Sequence, residues 1–205
     1  MSTSGDPNEG ELLRLMQAGD EEALAALYRQ RHGAIFRFAL QMCGSRALAE
    51  DITQEVFMVL IRDGNSFDPD RGSLNAFLLG VARNHVLRRL QRERFYVSME
   101  GSDDEVAANQ APLATAGPLE NLSRTEEIES VRKAVLALPE RYREVVVLCD
   151  LQELSYVEAA EVLGCAVGTV RSRLHRGRAL LILKLRPASE EESGSASLKS
   201  TRCFA

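Results

Sequence analysis

Apolar residues recur through most of this chain at the three- and four-residue spacing that places them on one face of an α-helix. After a polar stretch at 1–10 that reads as disordered, Leu12, Leu13, Leu15 and Met16 open the first such face. Asp20 is placed to cap a second helix, in which Ala23, Leu24, Leu27 and Tyr28 share a side that Ile35, Phe36, Phe38 and Ala39 extend. A break at Gly44 and Ser45 leads into RALAEDITQEVFMVLIRD. There Leu48, Ile52, Val56, Val59 and Leu60 keep helical spacing, and Glu50, Asp51, Gln54 and Glu55 line the other, polar side. That side suits a protein partner, and a solvated helix face would look the same. The loop GNSFDPDRGS stops this helix, and Ser73 can cap the next, LNAFLLGVARNHVLRRLQRERF. Its apolar positions are Phe77, Leu78, Val81, Ala82 and Leu90; Arg83, Arg88, Arg89, Arg92 and Arg94 stand against Glu93 alone, with Asn84 and His85 among them.

Composition changes at about residue 96. Asp103, Asp104 and Glu105 precede a run of Ala, Pro, Gly and Thr that is poor in large apolar residues, which reads as an acidic linker over 96–122. Helical signals then resume. Ser123 and Glu126 have the spacing of a capping box, and Ile128, Val131, Val135 and Leu138 form an apolar face. Pro139 can open a helix PERYREVVVLCDL. The stretch LSYVEAAEVLGCAVGTVRSRLHRGRALLILKL follows. In it Ser155 and Glu158 repeat the capping box, Gly164 allows a sharp reversal, and Val167, Val170 and Leu174 give a second helix its inner side. This is the layout of a helix-turn-helix. The fold predicted is all-α, with two small helical domains at 11–95 and 123–186 joined by a flexible linker. The helix-turn-helix lies in the second, and 187–205 reads as a disordered tail.

The outer sides of the last helix carry Thr169, Arg171, Ser172, Arg173, His175, Arg176 and Arg178, and no acid occurs from Arg171 to Arg186. A solvated basic face would look similar, but the capped helix and glycine turn before it match the docking architecture of a recognition helix. The net charge of −5 and pI near 5.4 would argue against nucleic acid if charge were evenly spread. It is concentrated instead, with cations on two separate helices, as suits a polyanion met at two points. Aromatic residues are 5% and Trp is absent, which favours small helical units over a β-sandwich. Cys43, Cys149, Cys165 and Cys203 are scattered and form no CxxC pair, so neither a metal site nor a disulfide framework is expected, and no cofactor is implied. The N-terminus has no leader pattern and no segment reads as a membrane span, so a cytoplasmic protein is expected. His32, His85 and His175 lie in unrelated segments, without a nucleophile motif or phosphate-binding loop, which speaks against an enzyme.

Together AEDITQEVF, VARNHVLRRLQR, ALPERYREVVVL and VGTVRSRLHRGR, in this order, resemble the extracytoplasmic-function sigma factors of bacterial RNA polymerase, over about Glu11 to Leu185. The resemblance implies a transcription initiation factor that joins core RNA polymerase and brings it to promoter DNA. It places polymerase binding on Glu50, Asp51, Gln54, Glu55 and Phe57. It places melting of the minus-10 element on the loop Ser66 to Ser73 with Arg83, Asn84, Arg88 and Arg89, and reading of the minus-35 element on the helix from Thr169 to Arg178. Members are commonly held inactive by an anti-sigma protein. Two departures are Phe77, near which the family often has Trp, and Ala166, where it has a Ser or Pro. The competing reading is a free-standing dimeric helix-turn-helix regulator, which would need a dimerisation helix or ligand pocket that neither linker nor tail offers.

Overall fold

The computed structural model of the chain describes residues 7–64, 67–68, 72–100 and 120–186, with side chains within 9–64, 67–68, 72–92 and 126–186. Most of the expected linker, much of the loop Ser66 to Ser73 and the tail lie outside these residues. Among the described residues there are eight α-helices, one π-helical turn and no strand. They are α1 Pro7–Gln17, α2 Glu21–Cys43, α3 Arg46–Asp63, α4 Leu74–Glu100, α5 Glu120–Leu136, α6 Glu140–Val146, the π-turn Val147–Leu151, α7 Tyr156–Leu163 and α8 Val167–Leu185.

Several boundaries follow from side-chain chemistry. The Asp20 carboxylate accepts from the Glu22 and Ala23 amides, satisfying donors that the first turn of α2 leaves open. Gly44 ends α2 at φ 74°, its N–H reaching Leu40 O at 2.8 Å, and Ser45 at once caps α3. Ser73 Oγ accepts from Ala76 N at the start of α4.

Other boundaries depart from expectation. Helix α1 begins at Pro7, inside the stretch expected to be disordered; Glu9 is buried there and ion-paired with Arg31 of α2, a tertiary tie that local composition does not announce. Helix α4 runs on to Glu100 and α5 starts at Glu120, so both enter the expected linker. Ser123 therefore lies inside a helix, and the Ser123/Glu126 spacing does not mark its start. The segment after Pro139 is not one helix either. It widens from α6 into the π-turn, where Gln152 N reaches back five residues to Val147 O.

Helices α2, α3 and α4 enclose Leu27, Ile35, Phe38, Ile52, Val56, Leu78 and Leu79, and α1 closes one end with Leu13 and Met16. In the second half Val145, Val147, Leu148, Ala159, Leu163, Val170 and Leu174 are buried between α6, α7 and α8. These two sets form one continuous apolar core rather than two separate ones, joined where α4 meets α7 and α2 meets α5. Gly44 lies at that seam, where a Cβ would stand 3.2 Å from Leu136 Cδ1. Helix α5 is covered toward its C-terminal end. Val135 is buried, whereas Ile128 and Val131 on the same face remain exposed.

Helix α8 packs against α6 through Gly177. A Cβ there would stand 2.8 Å from Val146 Cγ2 and 3.3 Å from the Tyr142 carbonyl oxygen, and a backbone atom cannot swing aside. Gly177→Ala is expected to destabilise the chain by about 1–3 kcal/mol through overpacking. Thermal denaturation followed by circular dichroism measures this, and an unchanged melting temperature would contradict the close approach.

Candidate nucleic-acid interface

The helix-turn-helix is set by local rules. Ser155 and Glu158 form the reciprocal capping box: Glu158 N donates to Ser155 Oγ at 3.2 Å and Ser155 N donates to Glu158 Oε2 at 3.0 Å. Gly164 takes the left-handed conformation, φ 62° and ψ 38°, that ends α7 and starts the turn. Ala166 is the N-cap of α8 without a side-chain hydrogen bond, and Thr169 N donates to its carbonyl at 2.8 Å. Packing holds the helix without a capping hydroxyl, since Val170 and Leu174 are buried against α6 and α7.

Outward from that inner side, Arg171, Ser172, His175, Arg176 and Arg178 are exposed, and Thr169 and Arg173 are half-buried. The row is not uniform. Arg178 donates from Nε and Nη2 to both oxygens of Asp150 at 3.0 and 2.5 Å, a two-point pairing that fastens α8 to the π-turn. Arg176 hydrogen-bonds Tyr142, the first cause of a phenol held below its ordinary pKa.

The second cationic set lies on α4 and divides in the same way. Asn84 and Arg88 are exposed. Arg83 Nε instead donates to Glu144 Oε1 of α6 at 2.7 Å, with side-chain exposures of 19% and 6%. Arg89 Nη2 donates to Glu55 Oε1 of α3 at 2.8 Å, and His85 Nδ1 lies 2.5 Å from Glu55 Oε2. Partial burial works to raise the Glu55 pKa, but hydrogen bonds from Arg89 and His85 outweigh it and hold the carboxyl below its ordinary value.

On α3, Glu50, Asp51 and Gln54 are exposed, as the polar pattern expects, and Glu55 is half-buried in the pair just described. Phe57 is not on that face. It is 4% exposed and its ring centroid lies 4.7 Å from that of Tyr28, so it supports α3 from behind. The stripe continues instead through Met58 and Ile61, 63% and 52% exposed. Apolar periodicity gave no reason to single these two out, because an apolar residue in a helix reads as core unless its angular position is checked.

Between the halves lies a cavity of about 570 Å³. Phe67, Phe77, Val81 and Asn84 line one side and Glu161 and Val162 of α7 the other. Phe77 rests on Phe67 with ring centroids 5.6 Å apart. No helix among the described residues is long and apolar enough to cross a membrane.

Comparison with known proteins agrees with this geometry in both halves. Residues 27–96 match Sigma-70 region 2, and residues 128–181 match Sigma-70, region 4. Those regions in that order define a sigma subunit of bacterial RNA polymerase. Within that class, the chain belongs to the ECF RNA polymerase sigma factor family. It is 30% identical over 178 residues to the ECF RNA polymerase sigma factor SigW of Bacillus subtilis, a match covering 85% of this chain and 95% of that one. It is 33% identical over 181 residues to the ECF RNA polymerase sigma factor SigE of Mycolicibacterium smegmatis, covering 87% and 68% respectively. Its fold is similar, with a TM-score of 0.65 and 26% identity, to the sigma factor RpoE solved in complex with the anti-sigma factor NepR from Bartonella quintana, over 78% of this chain and 95% of that one. The chain is thus a sigma factor that binds core RNA polymerase and directs promoter recognition and transcription initiation, and the free-standing regulator is not favoured.

Because Glu55 is ionised more readily folded than unfolded, its contribution to stability is present above the ordinary carboxylate range and is lost as pH falls through its lowered value. Glu55→Gln is therefore expected to flatten the fall in melting temperature between about pH 5 and pH 3. An acid limb identical to that of the parent chain would show that the carboxylate is not so held.

Proposed function

We propose that 11–95 is the polymerase-docking and promoter-melting domain and 123–186 the upstream-element reader, each with its own set of exposed side chains. The observation that carries this division is the opposite charge of the two exposed helix faces. Glu50, Asp51 and Gln54 with Met58 and Ile61 make an acidic, partly apolar stripe on α3, and Arg171, Ser172, His175 and Arg176 make a basic one on α8. An acidic face repels DNA, so it belongs to a protein partner, here core polymerase. A basic second helix of a helix-turn-helix fits a major groove, which the minus-35 duplex presents.

Melted minus-10 DNA falls to Asn84 and Arg88 on α4, with Arg83 and Arg89 joining when their carboxylate partners release them. Aromatic rings beside an amide side chain, as Phe67 and Phe77 share a cavity with Asn84, suit exposed bases, and the exposed Arg88 one turn further along α4 suits a single-stranded backbone. The chain acts in the cytoplasm, where polymerase and promoter are, and works by positioning rather than by catalysis. The likeness to RpoE, solved with its anti-sigma factor NepR, supports an anti-sigma factor as regulator here too.

Two variants test the division. Asp51→Lys is expected to weaken binding to core polymerase while leaving promoter-duplex affinity of the free chain unchanged; equal polymerase binding would remove the α3 assignment. Arg171→Ala is expected to cost about 1–3 kcal/mol of duplex affinity at promoter sequence, less on random DNA, if it reads a base edge. Fluorescence anisotropy at fixed salt measures both, and an equal loss on both DNAs would reduce Arg171 to a phosphate contact.

A further inference from the structure

We propose that α6 grips the DNA backbone beside the recognition helix: Arg141 and Tyr142, together with Arg176 of α8, form a clamp for a phosphate of duplex DNA. The proposal rests on the assignment of α8 to the major groove. Arg141 and Arg176 are exposed, and Tyr142 is half-buried. The Arg141 guanidinium carbon lies 4.8 Å from the centre of the Tyr142 ring, and Arg176 donates to the Tyr142 phenol oxygen. One tyrosine therefore holds two arginines, one over its face and one at its hydroxyl, and gathers cations from two helices at one place. Its own position is fixed. The Tyr142 carbonyl oxygen and Cβ lie 3.3 and 3.5 Å from where Gly177 would carry a Cβ, so α6 and α8 touch here with no side chain between them. Glu144, one turn further along α6, is held by Arg83 of α4, and Asp150 by Arg178, so neither neutralises the pair.

Size and chemistry together assign the ligand. A major groove about 12 Å wide is filled by one α-helix about 10–12 Å across, so with α8 in the groove the side chains of α6 meet its wall, which is phosphate. A phosphate group accepts from two guanidinium groups and a hydroxyl at once. The Arg176 hydrogen bond and the Arg141 charge hold the phenol below its ordinary pKa, which makes its O–H a stronger donor. Contacts of this kind carry no sequence information. They fix the register and angle at which a recognition helix lies in the groove. Arg171 precedes Arg176 by about 7.5 Å along the axis of α8, so the clamp anchors the helix within reach of the side chain placed to read a base edge.

The test is equilibrium binding of the full chain to a labelled duplex of mixed sequence, followed by fluorescence anisotropy across a salt series. Arg141→Ala is expected to weaken binding about five- to tenfold near 0.1 M salt and to flatten the plot of log affinity against log salt by about 0.9, the signature of one phosphate contact. Arg141→Lys keeps the charge and is expected to keep the parent's slope. Tyr142→Phe keeps the ring that packs on Gly177 and is expected to bind about two- to fivefold more weakly at unchanged slope, because the donor it removes is neutral. Lys184, an exposed cation further along α8 beside Glu126 and Glu129, supplies the control, and Lys184→Ala is expected to leave the slope as it is. Arg141 and Lys184 are both exposed, so neither substitution disturbs the core. The parent's slope in Arg141→Ala would overturn the clamp, and equal flattening in Lys184→Ala would reduce it to the general field of a basic surface. A Tyr142→Phe chain that binds like the parent would overturn the part given to the phenol. Arg171→Glu separates the clamp from the reading beneath it. A duplex bound equally well with a carboxylate at 171 would take α8 out of the groove, whereas loss there with no change in Arg141→Ala would sink the clamp alone.

Discussion

Glu144 is a charged residue only 4% exposed, and a carboxylate so buried is tolerated only against a cation with its hydrogen bonds met. Its partner, Arg83, comes from a helix in the other half of the chain. The next residue back, Arg143, also ties elements together: its terminal guanidinium nitrogens donate to the Leu136 carbonyl at the end of α5, to the Leu138 carbonyl just past it and to Met42 O at the end of α2. Two neighbouring side chains on one turn of α6 thus fix how the halves meet. The apolar contacts of Gly44 with Leu136, and of α4 with α7, fill in around a geometry that these polar groups set. Removing either member of the Arg83–Glu144 pair leaves a largely buried charge unpaired, which is why the pair specifies an arrangement more than it adds net stability.

Much of the fold was legible because it rests on local chemistry. Asp20, Gly44, Ser45, Ser73, Ser155 and Gly164 act where their side chains or backbone freedom place them, and these boundaries match expectation. Failures have the opposite origin. Ser123 and Glu126 satisfy a spacing rule, but the helix starts at Glu120 instead. Pro7 to Gly10 look unstructured by composition, and tertiary burial of Glu9 against Arg31 carries the helix through them. The π-turn holds Val147 and Leu148 buried, and no run of apolar letters announces the extra residue it takes in. The single continuous core was hidden for a related reason, since the seam residues are ordinary apolar ones that fit equally well inside either half.

For the site, residue types were legible and their availability was not. Patterning and family resemblance gathered eleven candidates for DNA contact, and the structure sorts them by what lies opposite. Arg88, Arg171 and Arg176 stand on exposed surface, whereas Arg83, Arg89 and Arg178 each face a carboxylate from a different helix or turn. Nothing in the local sequence separates Arg88 from Arg89; one helical step of 100° turns the second toward Glu55. Phe57 and Met58 differ by the same step, which sends the first into the core beside Tyr28 and the second to the surface.

That sorting also explains how a chain of net charge −5 presents a DNA-binding helix at all. A carboxylate within about 4 Å of a cation neutralises its field at short range, and screening removes most of what remains beyond about 10 Å. What DNA meets is therefore the set of cations with no acid packed against them, and α8 has no acid along its whole length. The carboxylate of Asp150 acts at Arg178 near the middle of the helix and leaves the turns that begin with Thr169 and Arg171 positive. The acids that outweigh these cations in the total lie elsewhere, among them the α3 stripe, where the same negative field serves a protein partner and keeps DNA from settling on the wrong face.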